Sequence, residues 1–125
     1  MIKVIQTKLH SETVNGNCLA AAIASLIDCT IEEQPPYEDI DKWTSAMIRF
    51  LKLKGYEFEG TARNHEANDY EGVDGYVIMC GDSPRGNFGH CVLWKNGVVH
   101  DPHPSNAGLK SPEYFFLIKK NQMND

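Results

Sequence analysis

The sequence predicts an α+β domain in which N-terminal helices pack on a small antiparallel sheet. Three observations carry this. Apolar residues recur at helical spacing in the first half, β-rich runs fill the second half, and Asn96-Gly97 stands between two of those runs. At 125 residues, 42% of them hydrophobic, the chain is sized for a single domain, 1–125, with one packed core.

Lys3–Gln6 reads as a short edge strand, and His10–Asn17 is polar and loop-like. A helix fits Cys18 to about Ile27, because Leu19, Ala22, Ile23 and Leu26 recur at i, i+3, i+4 and i+7. Asn15 or Asn17 is placed to cap its start. Cys29 follows as a residue of no assigned function. Pro35-Pro36 marks a connector. A second helix fits from Tyr37 or Glu38 to Lys54, burying Ile40, Trp43, Met47, Phe50 and Leu51, with Gly55 placed to end it.

Tyr56–Glu59 reads as a strand, Thr61–Glu71 as a loop, and Gly75–Cys80 as a buried strand. Gly81–Gly89 is rich in turn formers. Tyr114–Lys119 is a final strand. Between them Asn96-Gly97 predicts a type I′ hairpin, since both central residues of that turn need positive φ. A two-residue loop pairs Lys95 with Val98, Trp94 with Val99, Leu93 with His100 and Val92 with Asp101. Alternation then puts His90, Val92, Trp94, Val99, Asp101 and His103 on one face, and Cys91, Leu93 and His100 on the other.

Net charge is −5, and the longest basic cluster is Lys119-Lys120, which argues against a nucleic-acid surface. The longest apolar run, Leu19–Leu26, is too short to span a bilayer, and residues 1–10 lack a secretory signal pattern. A cytoplasmic protein with reduced thiols is the expectation. The four cysteines form no CxxC pair. His90, Cys91, His100 and His103 are close in sequence, but alternation splits them, so neither a metal nor another cofactor is expected.

The chemistry-bearing residues are Cys18, His90 and Asp101. Cys18 opens a helix, where unpaired N–H groups and the helix dipole favour a thiolate. His90 and Asp101 are diagonal neighbours on the predicted hairpin, roughly 7–8 Å apart at the backbone, close enough for the carboxylate to orient the imidazole. A thiol with a His base and an orienting acid is the equipment of a cysteine nucleophile. Arg85 and His103 are the candidate substrate-binding side chains, Arg85 because its guanidinium suits a carboxylate.

Gly16-Asn17-Cys18 with the Ala-rich helix after it, Gly89-His90-Cys91-Val92-Leu93, and His100-Asp101-Pro102-His103-Pro104 together resemble a papain-like cysteine peptidase of the compact, bacteriocin-processing type. So does the Ser83-Pro84-Arg85-Gly86 loop. About a third of the chain carries this pattern. The resemblance implies a papain-like fold, Cys18 as nucleophile, His90 as base and Asp101 as orienting acid. Its implied partner is a peptide or protein substrate, with peptide, isopeptide or other amide bonds, acyl transfer and deamidation all within the same chemistry. It also implies an oxyanion-hole Gln before the Cys. Glu12 occupies the usual spacing, so Gln6 can serve only if residues 7–17 loop out, with Asn15 and Asn17 as the other candidates. Unfused proteins of this pattern resemble phage or bacterial accessory factors. An inactive relative that uses the cleft to bind a partner and a zinc-binding interaction domain are the competing readings.

Overall fold

The computed structural model describes residues 2–63, 76–95 and 97–120. Among these, the elements are α1 (Cys18–Ile27), a 3₁₀ turn (Tyr37–Asp39), α2 (Trp43–Leu53), β1 (Tyr56–Arg63), β2 (Tyr76–Asp82), β3 (Gly89–Trp94), β4 (Val98–His100) and β5 (Ser111–Lys120). The strands form one sheet in the order β1-β5-β2-β3-β4, with every neighbouring pair antiparallel. The architecture is α+β, as the segregation of helical and strand patterns predicts.

Both helices pack on one face. Ala20, Ala22 and Ile23 from α1, and Met47, Phe50 and Leu51 from α2, meet Ile78, Cys80, Cys91, Leu93, Phe116 and Ile118 from the sheet. Val77, Met79, Val92, Trp94 and Phe115 make a second apolar cluster from the alternate strand positions. Period-two alternation thus sends each of β2, β3 and β5 into two clusters.

α1 spans the predicted residues. It ends where Asp28 turns left-handed (φ 55°) and the Cys29 N–H reaches back to Ala24 O at 3.2 Å, a Schellman-type closure. The second helix is shorter than predicted. Ile40 is extended (φ −115°, ψ 128°), so the segment splits into the 3₁₀ turn and α2. Gly55, at φ 85°, closes α2 as predicted.

Residues 3–6 do not form the edge strand. Their backbone groups bond elsewhere: Val4 N–H to Ser25 Oγ (2.8 Å), Gln6 N–H to Pro102 O (2.9 Å), and Val4 O to His100 Nε2 (2.6 Å). β1 runs on to Arg63, four residues past the predicted end, and the rest of the predicted loop lies outside the described residues, as does Gly75.

The hairpin keeps the Leu93–His100 pair but shifts by one residue beyond it, pairing Trp94 with Val98 instead of Val99. Lys95 N–H donates to Gly97 O at 2.9 Å, and Gly97 takes φ 125°. The Lys95–Val98 pairing is therefore not made. The bulge turns Val99 toward the helix-side cluster, away from the face shared by Val92 and Trp94. Asn96 itself lies outside the described residues.

Candidate active site

Cys18, His90 and Asp101 arrive at one place from α1, the start of β3 and the residue just after β4. His90 Nε2–H donates to Asp101 Oδ1 at 2.6 Å, with both side chains buried. Asp101 is itself held. Its Oδ1 also accepts the His103 N–H (2.9 Å) and its Oδ2 the Gly108 N–H (2.7 Å). With Nε2 committed to the carboxylate, Nδ1 is the nitrogen left for the Cys18 thiol, which lines the same cavity and interacts electrostatically with the ring.

The electrostatics follow from this geometry. Burial works against the Asp101 charge, but His90 and the two backbone N–H groups outweigh it and lower its pKa. Burial likewise disfavours the imidazolium, yet Cys18 and Asp101 outweigh that and raise the His90 pKa. Cys18 behaves differently from what its place on the helix suggests. The Cys91 thiol, and then burial, push the Cys18 pKa well above the ordinary thiol value, with His90 opposing them. Alternation places Cys91 on the face opposite His90, and that is the face on which α1 packs. Cys18 accordingly packs against the cluster that contains Cys91.

Asn17 opens α1, but its side chain does not cap the helix. Instead its Oδ1 accepts the Thr7 and Lys8 N–H groups (3.1 and 2.9 Å), and its Nδ2 donates to Thr7 Oγ1 (2.8 Å). That removes Asn17 from the oxyanion candidates. Asn15 Nδ2 donates to Glu38 O at 3.1 Å, tying its loop to the 3₁₀ turn. The first N–H groups of α1 thus have neither an intrahelical partner nor a side-chain cap.

The loop-out that Gln6 requires is present. Asn17 N–H reaches Lys8 O at 3.2 Å, closing residues 9–16 into an excursion, and Ser11 N–H bonds Val14 O within it. Gln6 Nε2 donates to the same Lys8 O at 2.8 Å, while its buried Oε1 has no hydrogen-bond partner. A Cβ on Gly16 would stand 3.2 Å from Gln6 Nε2, so the small residue lets the amide approach the Cys18 strand of the loop.

These groups line a cavity of about 640 Å³. Gln6, Cys18 and His90 form its reactive wall; Leu19, Tyr37, Ile40 and Trp43 form an apolar one. Arg85 and His103 lie at its rim, both tied to Ser105: Arg85 Nη1 donates to Ser105 Oγ (3.2 Å), and His103 Nδ1 accepts the Ser105 N–H (3.0 Å). Burial, then the nearby Arg85 charge, lower the His103 pKa. The His103 ring stands edge-on to His90, with centroids 6.2 Å apart.

Three lining features were not legible beforehand. His10 stacks on Phe88 at 4.1 Å, joining the 8–17 loop to the 83–88 loop. Glu38, paired with Lys8, supplies an acidic group. Trp43, read as core alone, is half-buried and faces the cavity while meeting Phe116 edge-on. Each depends on segments far apart in sequence, and no local pattern announces them. Among the described residues no His, Cys, Asp or Glu cluster fits a metal ion, and no helix is long and apolar enough to cross a membrane.

No protein-family model, curated protein or solved structure matches the chain significantly.

Proposed function

We propose that the protein is a papain-like thiol hydrolase that forms an acyl-enzyme on Cys18. The observation that supports this most is the buried His90 Nε2–Asp101 hydrogen bond, which leaves Nδ1 for the Cys18 thiol on the same cavity wall. Asp101 fixes the tautomer and stabilises the imidazolium, so His90 accepts the thiol proton as sulfur attacks the substrate carbonyl. With the resting thiol held protonated by Cys91 and burial, proton transfer accompanies attack instead of preceding it.

The oxyanion that forms is served by the uncapped N–H groups at the start of α1 and by the second N–H of Gln6 Nε2. His90 then returns the proton to the leaving amine, giving a thioester on Cys18, which water or an amine resolves. Leu19, Ile40 and Trp43 suit an apolar portion of a peptide or protein substrate, and Arg85 suits an acidic group on it. A catalytically silent binding module on the same cleft is the second reading; what favours it is the crowding of Cys18 by Cys91, which works against thiolate formation.

The test is alkylation of Cys18 by iodoacetamide from pH 5 to pH 9, mapped by mass spectrometry, in the native protein and in His90→Ala. The hydrolase reading expects native labelling near neutral pH to exceed that of the variant by on the order of 100-fold, the scale of general-base assistance. Superimposable profiles, rising only through the ordinary thiol range, would sink it and leave the binding reading.

A further inference from the structure

Cys18, Cys91 and Cys80 are three free thiols gathered at one apolar cluster. Cys80 and Cys91 face each other directly across β2 and β3, with Sγ atoms 3.0 Å apart. Cys91 touches Cys80, and Cys18 packs against the cluster that holds them both and lines the same cavity. All three line the cavity, and they differ in exposure: Cys18 is half-buried, whereas Cys80 and Cys91 are buried. The acyl-transfer chemistry uses neither Cys80 nor Cys91.

Cross-strand partners in an antiparallel pair have Cα atoms about 4.5–5.5 Å apart, inside the range a disulfide requires. Closing the 3.0 Å gap to a bond of about 2.05 Å asks for a side-chain adjustment of roughly 1 Å. Exposure falls from half-buried Cys18 to Cys91 at 9% and Cys80 at 2%, and that gradient gives the three thiols a direction. An oxidant meets Cys18 first, and Cys91 stands next to whatever forms there.

We propose that the three cysteines are a hydroperoxide-modification site and relay, in which Cys18 is oxidised, Cys91 resolves it and Cys80 takes the oxidation away. In the first step the Cys18 sulfur attacks the distal peroxide oxygen. The O–O bond breaks, Cys18 becomes a sulfenic acid, and the hydroperoxide leaves as alcohol, or as water from hydrogen peroxide. In the second step the Cys91 sulfur attacks the sulfenic sulfur, an S–S bond joins Cys18 to Cys91, and hydroxide leaves with the Cys91 proton as water. In the third step the Cys80 sulfur attacks Cys91, and Cys18 leaves with the proton that Cys80 loses. The sum is two thiols and one hydroperoxide giving one disulfide, one alcohol and one water.

The end state keeps Cys18 as a thiol and stores the oxidation as a Cys80–Cys91 cross-link between paired strands. It also removes the Cys91 thiol that crowds Cys18. The relay rests on the thiol contacts and not on acyl transfer, so it stands or falls separately from the hydrolase reading.

The experiment oxidises reduced native protein with hydrogen peroxide, blocks remaining thiols with N-ethylmaleimide, and maps tryptic peptides without reduction. Cleavage after Arg85 places Cys80 and Cys91 on different peptides, and fragmentation separates Cys18 from Cys29. The relay expects a Cys80–Cys91 cross-link with Cys18 recovered as its maleimide adduct. In Cys80→Ala the product stops at a Cys18–Cys91 disulfide. In Cys91→Ala no cross-link forms, and Cys18 proceeds to sulfinic and sulfonic acids on the order of tenfold faster than in the native protein. Native protein in which Cys18 over-oxidises without any cross-link would overturn the relay, and that result needs no variant to fold. A Cys80–Cys91 bond forming equally fast in Cys18→Ala would also overturn it, since Cys18 would then not be the entry point.

Discussion

Replacing Asp101 with Ala removes one carboxylate and strands three donors. His90 Nε2–H, His103 N–H and Gly108 N–H all point at it, over 2.6, 2.9 and 2.7 Å. A buried donor left without an acceptor costs about 1–3 kcal/mol, and breaking a buried, hydrogen-bonded ion pair by removing one partner costs about 3–5 kcal/mol. A loss of about 3–5 kcal/mol is a large share of the roughly 5–15 kcal/mol that holds a domain folded. At about 4 °C per kcal/mol for a chain of this size, melting falls by about 12–20 °C. Asp101→Asn is the informative comparison. An amide offers one oxygen where the carboxylate offers two, so it serves either the His90 side or Gly108 and loses about 1–3 kcal/mol.

The pH dependence follows from the direction of the shift. Burial raises the Asp101 pKa, but His90, His103 and Gly108 lower it further, so the folded value lies below the unfolded one. Its stabilisation is therefore fully present above the unfolded value of about 3.9 and is lost as pH falls through the folded value. The gap between native protein and Asp101→Asn, read by urea unfolding, is widest from about pH 5 to pH 7 and narrows as pH falls through the lowered Asp101 value. An Asp101→Ala protein melting within about 2 °C of native would refute the reasoning, because the donors would then have found other acceptors.

Three further outcomes follow from the structure. In His90→Gln the alkaline slope of stability disappears: burial opposes the His90 charge, but Cys18 and Asp101 raise its folded pKa, so native stabilisation is full below about pH 6.5 and is lost as pH rises through the raised value, which urea midpoints between pH 6 and pH 9 read directly. Asn17→Ala removes the acceptor of two backbone N–H groups and costs about 1–3 kcal/mol, with faster hydrogen exchange at Thr7 and Lys8 as the specific signature. Gly81→Ala drives a methyl into the Ser111 carbonyl oxygen across β2 and β5, so it unfolds the protein or lowers its stability by about 1–3 kcal/mol; a melting temperature equal to native would show that the strands part freely there.

Local chemistry explains which parts of the fold were legible. α1 was readable because its apolar stripe has one period, although the Asn17 side chain expected to cap it bonds elsewhere. The His90–Asp101 contact was readable because Asn96-Gly97 announces a hairpin and alternation does the rest; the Leu93–His100 pair sits where that register puts it. The bulge beyond Leu93 was not readable, since an Asn-Gly pair closes hairpins in more than one register. The break at Ile40 was hidden because Ile40 and Trp43 keep a helical apolar spacing while the backbone extends at Ile40 and turns through residues 41–42. The Cys18–Cys91 contact needs one fact that no local pattern holds, namely which face of the sheet receives the helix.

The N-terminal segment shows how the site is assembled from pieces that carry no signal alone. Residues 4–8 make no ladder bonds, yet Ser25 and Asn17 of the α1 region and His100 and Pro102 of the β4 region all bond to them. The segment is a strap between the element that carries Cys18 and the one that leads to Asp101. Buried polar side chains are costly unless satisfied, and Asn17, Ser25 and His100 are satisfied by this strap. Their burial makes sense only with the strap in place, and the strap in turn brings Gln6 to the cavity wall. The His90–Asp101 pair and the strap contacts thus support one another: loosening the segment frees Gln6 and exposes the polar row beneath it. Cys18, the half-buried thiol at the start of α1, follows Asn17 directly and lines the same cavity as Gln6. It is opposed on one side by an oriented imidazole and on the other by a second thiol, so the balance between those two neighbours sets how reactive it is.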